Sequence, residues 1–190
     1  MIKSGMSEKI AMNGEGLAIV LKAAWFASDK HRNQRRKDVE ASPYINHPLA
    51  LAHVLATEGG ISDPVVIAAA LLHDTVEDTE TTPEELVREF GTAIASIVAE
   101  VTDDKTLEKA ERKRLQVIKS PTKSHSAKLV KLADKINNLR DIAASPPADW
   151  NSDRRRQYFN WAADVVEGIR GTNEGLEAAF DQAYSARDKV

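Results

Sequence analysis

Apolar residues recur along most of this chain at three- and four-residue intervals, the period of a helix with one buried face. Leu17, Val20, Leu21, Ala24 and Ala27 or Ser28 keep that rhythm and predict a first helix from Glu15, with those residues inward. A second helix is predicted from Asn46, read as its N-cap, with Pro48 in the first turn, to about Thr57, where Gly59-Gly60 stops it. Asp63-Pro64 is a further cap followed by proline at the first helical position. Residues 65–72 behind it are apolar on every face, which predicts the most buried helix of the domain. Thr82-Pro83-Glu84-Glu85 fits a capping box, Gly91 sits where a left-handed glycine would end a short helix, and residues 92–101 read as its antiparallel partner. A charged helix over 107–119 is broken by Ser120-Pro121, and a long one over about 126–144 ends before Ser145-Pro146-Pro147. Helices over about 152–170 and 173–188 finish the chain. Only residues 35–45 resist a helical reading and predict a loop or, at most, a small hairpin. The expected fold is all-α, a single multi-helix domain over 15–190 behind a loose arm at 1–14.

Composition narrows the class. In 190 residues, hydrophobic positions make up 42% and charged ones 29%, which fits one globular domain with a real core rather than a disordered chain. The longest apolar run, at 65–72, is far short of the ~18 residues that span a bilayer. No basic stretch followed by an apolar one opens the chain, so a cytoplasmic location is expected. There is no cysteine, which excludes disulfides, thiolate metal sites and cysteine nucleophiles. A net charge of −3 argues against a dedicated nucleic-acid binder.

The candidate chemistry starts at the end of the apolar helix, in His73-Asp74-Thr75-Val76-Glu77-Asp78. Four residues advance a helix by ~400°, so a helix continued through this segment sets His73 over Glu77 and Asp74 over Asp78. Unpaired carboxylates cost several kcal/mol to bury, and the negative end of a helix makes that worse. A divalent cation would resolve the cluster, since imidazole nitrogen and carboxylate oxygen suit such ions. Taken alone, the segment is equally a solvated, frayed helix end. Further donors must come from other helices. His47, between Asn46 and Pro48, is either a donor or a capping and packing residue. Asp134, among Leu129, Val130, Leu132, Ala133, Ile136 and Leu139, is either a donor or an ion-paired surface residue, and shares its stripe with Asn138.

The stretch Lys30-His31-Arg32-Asn33-Gln34-Arg35-Arg36-Lys37 carries five Lys or Arg in eight residues. That is either a solvated face or a polyanion site, where guanidinium forks and ammonium charges hold phosphates. It lacks the interleaved aromatics of a nucleic-acid stripe. His31, His53 and His125 receive no role; His53 is rotated ~240° from His47 on a helix.

Several ordered blocks together resemble one family. They are Lys30-His31-Arg32, Arg35-Arg36-Lys37-Asp38, Pro43-Tyr44-Ile45-Asn46-His47-Pro48, Ala70-Leu71-Leu72-His73-Asp74-Thr75-Val76-Glu77-Asp78-Thr79, Glu100-Val101-Thr102-Asp103-Asp104-Lys105 and Lys128-Leu129-Val130-Lys131-Leu132-Ala133-Asp134-Lys135. Trp161-Ala162-Ala163 and Gly171-Thr172-Asn173 extend the match toward the C-terminus. The chain resembles the HD superfamily of metal-dependent phosphohydrolases, and within it the hydrolase domain of Rel/SpoT alarmone enzymes, in the small stand-alone form of the metazoan SpoT homologues.

That resemblance implies an all-α HD domain and a metal, Mn(II), one ion per chain, held by His47, His73, Asp74 and Asp134. It implies Glu77 and Asp78 as the catalytic pair, acting on the attacking water and the leaving group without ligating the metal. It implies removal of the 3′-pyrophosphate of ppGpp or pppGpp, with no synthetase activity. Arg36 and Lys37 would contact the nucleotide, Asn138 would lie near the ribose, and Tyr44, Lys109, Arg154 and Tyr158 would touch phosphates or sugar. Two departures bear on base recognition: the 37–44 segment is longer than in the large Rel/SpoT enzymes, and Asp141 stands where they often carry threonine. The competing expectations are a phosphatase of another nucleotide such as NADPH, and a nucleotide-binding regulatory module without catalysis. The partner expected is a small nucleotide, with no nucleic acid and no membrane.

Overall fold

A computed structural model describes residues 14–190. The expected arm at 1–14 therefore lies outside the described residues, except for Gly14, which opens the first helix. The helices are α1 (Gly14–Lys30), α2 (Asn46–Thr57), α3 (Pro64–Leu72), α4 (Thr75–Asp78), α5 (Pro83–Val101), α6 (Lys109–Lys119), α7 (His125–Ala144), α8 (Ser152–Glu167) and α9 (Glu174–Tyr184). The all-α expectation holds. Residues 35–45 form no hairpin strands, only a single antiparallel bridge between Arg35 and Pro43.

The apolar helix α3 is the centre of the bundle. Seven of its nine residues are buried, from Val66 to Leu72, and α1, α2, α5 and α7 all pack against it. Asp63 caps it as expected, its carboxylate accepting the Val65 N–H at 2.9 Å. Each leucine buried here contributes about 2–3 kcal/mol, so the register of this helix is strongly held. The long helix α7 is the second buried element, with residues 129–137 out of solvent throughout, including Lys131, Asp134, Lys135 and Asn137. Ser124, one residue before α7, is its N-cap, accepting the Ala127 N–H.

Four local expectations are corrected. On α1 the buried face is Gly16, Ala23 and Ala27, while Leu17 and Leu21 are 50% and 59% exposed. Small residues let α1 approach α3 closely, and that packing, not the leucine rhythm, sets the rotation of the helix. Asn46 is not a cap: Ile45 holds that position and no side-chain cap bond forms. The apolar helix does not continue through Asp78. It ends at Leu72, and a two-residue turn at His73-Asp74 separates it from the single-turn α4. Finally, α8 stops at Glu167 and α9 at Tyr184, short of the predicted ends. The break at Gly91 is real, with φ 80° and ψ 168° between two helical stretches of α5, a conformation that costs a side-chain-bearing residue dearly.

Among the described residues no helix is long and apolar enough to cross a membrane.

Candidate active site

The packing of α2, α3 and α7 brings three distant sequence blocks to one point. His47 lies in the first turn of α2, His73 and Asp74 in the turn after α3, and Asp134 in the middle of α7. His47, His73 and Asp134 each offer a donor atom, all within 4.8 Å of one another, so these three could hold a metal ion. Asp74 Oδ2 approaches the same space, 2.9 Å from His73 Nε2 and 3.8 Å from His47 Nε2. His47 Nε2 is 3.5 Å from Asp134 Oδ1.

The electrostatics of this cluster ask for positive charge. Burial works against both carboxylates, yet neighbouring cationic groups hold Asp74 and Asp134 below the ordinary aspartate range, His73 foremost for Asp74 and Lys135 for Asp134. Burial pushes His47 down. It pushes His73 down as well, but Asp74 and Asp134 outweigh it and raise that imidazole. A proton on His73 or a cation between the side chains would answer the same demand. The cation answers it better. His73 Nδ1 donates to the Ala70 carbonyl at 2.8 Å, which points Nε2 at the carboxylates. That buried Nε2 makes no hydrogen bond, although Asp74 Oδ2 is only 2.9 Å away. An orphaned imidazole nitrogen beside two carboxylates fits a divalent ion with N and O donors.

The two further carboxylates are held differently. Asp78 takes its bonds on the site side, its Oδ2 accepting from the Tyr44 hydroxyl at 3.2 Å and the Gln34 amide at 3.3 Å, while Lys105 pairs with Oδ1. The single Tyr44 proton is shared between Asp78 and Asp74, the latter at 2.5 Å the shorter contact, and burial together with Asp74 pushes the Tyr44 pKa far up, so it remains a donor. Glu77 is held by different partners. Its Oε2 accepts the Asp103 backbone N–H at 3.1 Å and its Oε1 lies 3.6 Å from Arg112. Burial raises the Glu77 carboxyl, which prepares it to exchange a proton.

Beside the donors opens a cavity of about 690 Å³. Its wall includes His47 and Asp78 together with Arg36, Lys37, Tyr44, Asn138 and Tyr158, so most of the nucleotide-contacting residues expected from the sequence do converge. Arg36 is braced by Asp141 at 2.6 Å and lies over the Tyr44 ring. Asn138 donates to Asp134 Oδ1 at 2.6 Å. Burial, then Asp134, raises Tyr158 well above an ordinary phenol. Lys109 and Arg154 are not in this wall. Both are exposed and lie around the half-buried Lys113, whose own pKa burial and these neighbours depress. Arg154 pairs with Asp149 at 3.3 Å and lies over the Trp150 ring.

Sequence reasoning missed several residues. His31 is buried, packs at a tilt against Tyr44 with ring centroids 4.7 Å apart, and its Nδ1 meets Gln34 Oε1 at 2.6 Å. Its place three residues before Gln34 in an apparently solvated basic loop was the available signal. Asn137 lies 2.8 Å from His47 Nδ1 and Lys135 lies 3.0 Å from Asp134 Oδ2. A lysine and an asparagine flanking Asp134 on a helix of leucines were visible, but their partners were not.

Comparison with known proteins points to one family. A model of the HD domain matches residues 23–160. The chain is 57% identical over 167 residues to a Xenopus tropicalis protein named guanosine-3′,5′-bis(diphosphate) 3′-pyrophosphohydrolase MESH1, covering 88% of this chain and 93% of that one. Its human counterpart of the same name is 55% identical over 174 residues, covering 92% and 97%. A solved structure described as a metazoan orthologue of SpoT that hydrolyses ppGpp, with a role in starvation responses, superposes with a TM-score of 0.87 at 46% identity, covering 91% and 97%. Converging donors on a helical bundle, the matched domain and kinship over nearly the whole chain place this protein in the HD-domain family, among the MESH1-type hydrolases.

Proposed function

We propose that this chain removes the 3′-pyrophosphate of ppGpp and pppGpp, giving GDP or GTP and pyrophosphate, with one Mn(II) ion held by His47, His73, Asp74 and Asp134. The observation that carries the reading is the buried junction of α2, α3 and α7, where two imidazoles and two carboxylates meet beside a cavity lined by Arg36, Lys37 and Asn138. Relatives more than half identical and named for that activity support the substrate.

When bound, a divalent ion supplies Lewis-acid charge to phosphoryl oxygens and makes nearby water easier to deprotonate. The protein supplies the rest. In the overall step, water oxygen bonds to the phosphorus attached to O3′, the P–O3′ bond breaks, and O3′ takes a proton. Glu77, its carboxyl raised by burial, accepts the proton of the attacking water and can return it toward O3′. Asp78, tied to Tyr44, Gln34 and Lys105, orients that water rather than moving freely. Arg36, braced by Asp141, presents a flat guanidinium toward the base, and Lys37 lies next to it in the cavity wall. Tyr44, Asn138 and Tyr158 hold sugar and phosphate, while Lys109 and Arg154 receive charge at the outer rim. Binding and positioning of charge dominate phosphoryl transfer, where little covalent chemistry falls to the protein.

The test is anion-exchange assay of ppGpp and NADPH side by side with Mn(II). Release of GDP and pyrophosphate from ppGpp is expected. NADPH dephosphorylation with ppGpp untouched would replace the substrate, and binding of both without turnover would leave a regulatory module.

A further inference from the structure

A chain of polar contacts runs behind the site, from Lys135 on α7 to Glu77 on α4. Lys135, next to Asp134 on α7, is only 2% exposed. Its ammonium lies 3.0 Å from Asp134 Oδ2, 3.1 Å from Gln116 Oε1 and 4.2 Å over the Trp161 ring. An ammonium has donors and no acceptor, so it selects the oxygen of the Gln116 carboxamide and turns the NH2 end away. That end donates to Asp103 Oδ2 at 2.6 Å. The Asp103 backbone N–H then donates to Glu77 Oε2 at 3.1 Å. A reversed Gln116 amide would set NH2 against an ammonium and oxygen against a carboxylate, so the buried cation fixes the direction of the whole series.

Gln116 is not there to fill the core. It is half-buried on α6, a helix with no buried residue. Glu77, for its part, sits in the four-residue α4, and its other oxygen meets Arg112 only at 3.6 Å. The Asp103 amide is the closer of these two contacts, and what aims that amide is the Asp103 side chain gripped by Gln116.

We propose that Gln116 is a positioning residue for Glu77: locked by Lys135, it holds the residues after α5 so that the Asp103 N–H points at the Glu77 carboxylate. The proposal rests on Glu77 being the proton-transfer group. It also gives Lys135 two duties, since the same ammonium anchors the proposed ligand Asp134 and the arm that orients Glu77.

Two variants separate positioning from packing. Gln116→Glu keeps an acceptor for Lys135 but sets carboxylate against carboxylate at Asp103; Gln116→Leu removes both contacts. Neither empties a buried site. Both are expected to lower kcat about 10- to 100-fold, the usual cost of removing a supporting hydrogen bond around a reactive group, with KM unchanged. Mn(II) affinity, read from free Mn(II) by electron paramagnetic resonance, should also be unchanged in both. In the 1H–15N spectrum, the Asp103 amide proton, deshielded by the Glu77 carboxylate, should move upfield in both. An unmoved Asp103 amide, or full kcat in both variants, overturns the proposal. So does a loss of Mn(II) affinity as large as the loss of kcat. A shifted amide in a protein that leaves ppGpp intact would instead fault the functional reading while the positioning contact stands.

Discussion

The helices that carry the four proposed ligands and the helix that carries Lys109 are built on opposite plans. His47, His73, Asp74 and Asp134 project from or beside α2, α3 and α7, whose neighbouring apolar side chains belong to the hydrophobic core. The α6 helix buries none of its residues. It is attached through polar contacts: Gln116 to Lys135 and Asp103, Arg112 to Glu77, and the Trp161 indole N–H to the Lys113 carbonyl at 3.1 Å. The contrast teaches where precision and where adaptability are needed. Donor atoms must meet within a few tenths of an ångström, so they are mounted on elements the core has already fixed. Charge proposed to receive a phosphate tolerates looser mounting, because an ammonium acts over several ångströms with little demand on angle.

Three substitutions would break or sharpen that contrast. The largest effect is expected from Asp74→Ala in the core-mounted set, with turnover lost and no Mn(II) retained by elemental analysis after gel filtration. A variant that keeps its full complement of metal would remove Asp74 from the ligands. Next comes Glu77→Gln, which leaves the donors intact; the metal should stay while kcat falls by about 10²- to 10⁴-fold, the span of general acid–base catalysis. Equal loss of metal there would turn Glu77 into a ligand and merge the two regions. The smallest effect belongs to Lys109→Ala on α6. A rise in KM of about tenfold is expected, since ~1.4 kcal/mol of phosphate contact is one decade, with kcat and the melting temperature little changed. A melting point lowered as far as by a core substitution would show that α6 is not the polar appendage described.

Much of this was legible beforehand. The eight apolar residues at 65–72 behind an Asp-Pro start could only be an internal helix, and they are. The separate blocks around His47, His73-Asp74 and Asp134 carried the kinship, and the fold sets His47, His73 and Asp134 within 4.8 Å of one another. Other features were read wrongly for identifiable reasons. Leu17 and Leu21 promised an inward face, but a periodic pattern records spacing without saying which of two faces meets a neighbour. An unbroken helix through Asp78 was a fair extrapolation of local pattern, yet the chain turns at His73-Asp74, and that turn aims both side chains inward.

Local chemistry in the sequence thus determined the class of fold, the order of the helices and the residue types able to bind a metal, because capping, periodicity and donor identity act over a few residues. Tertiary structure alone decided that His31 supports Tyr44, that Asp141 braces Arg36, and that a lysine beside Asp134 reaches through Gln116 to Asp103. Those contacts join residues 13 to 105 positions apart. Their partners are set by how buried helices stack, a collective outcome of packing that no short stretch of chain contains.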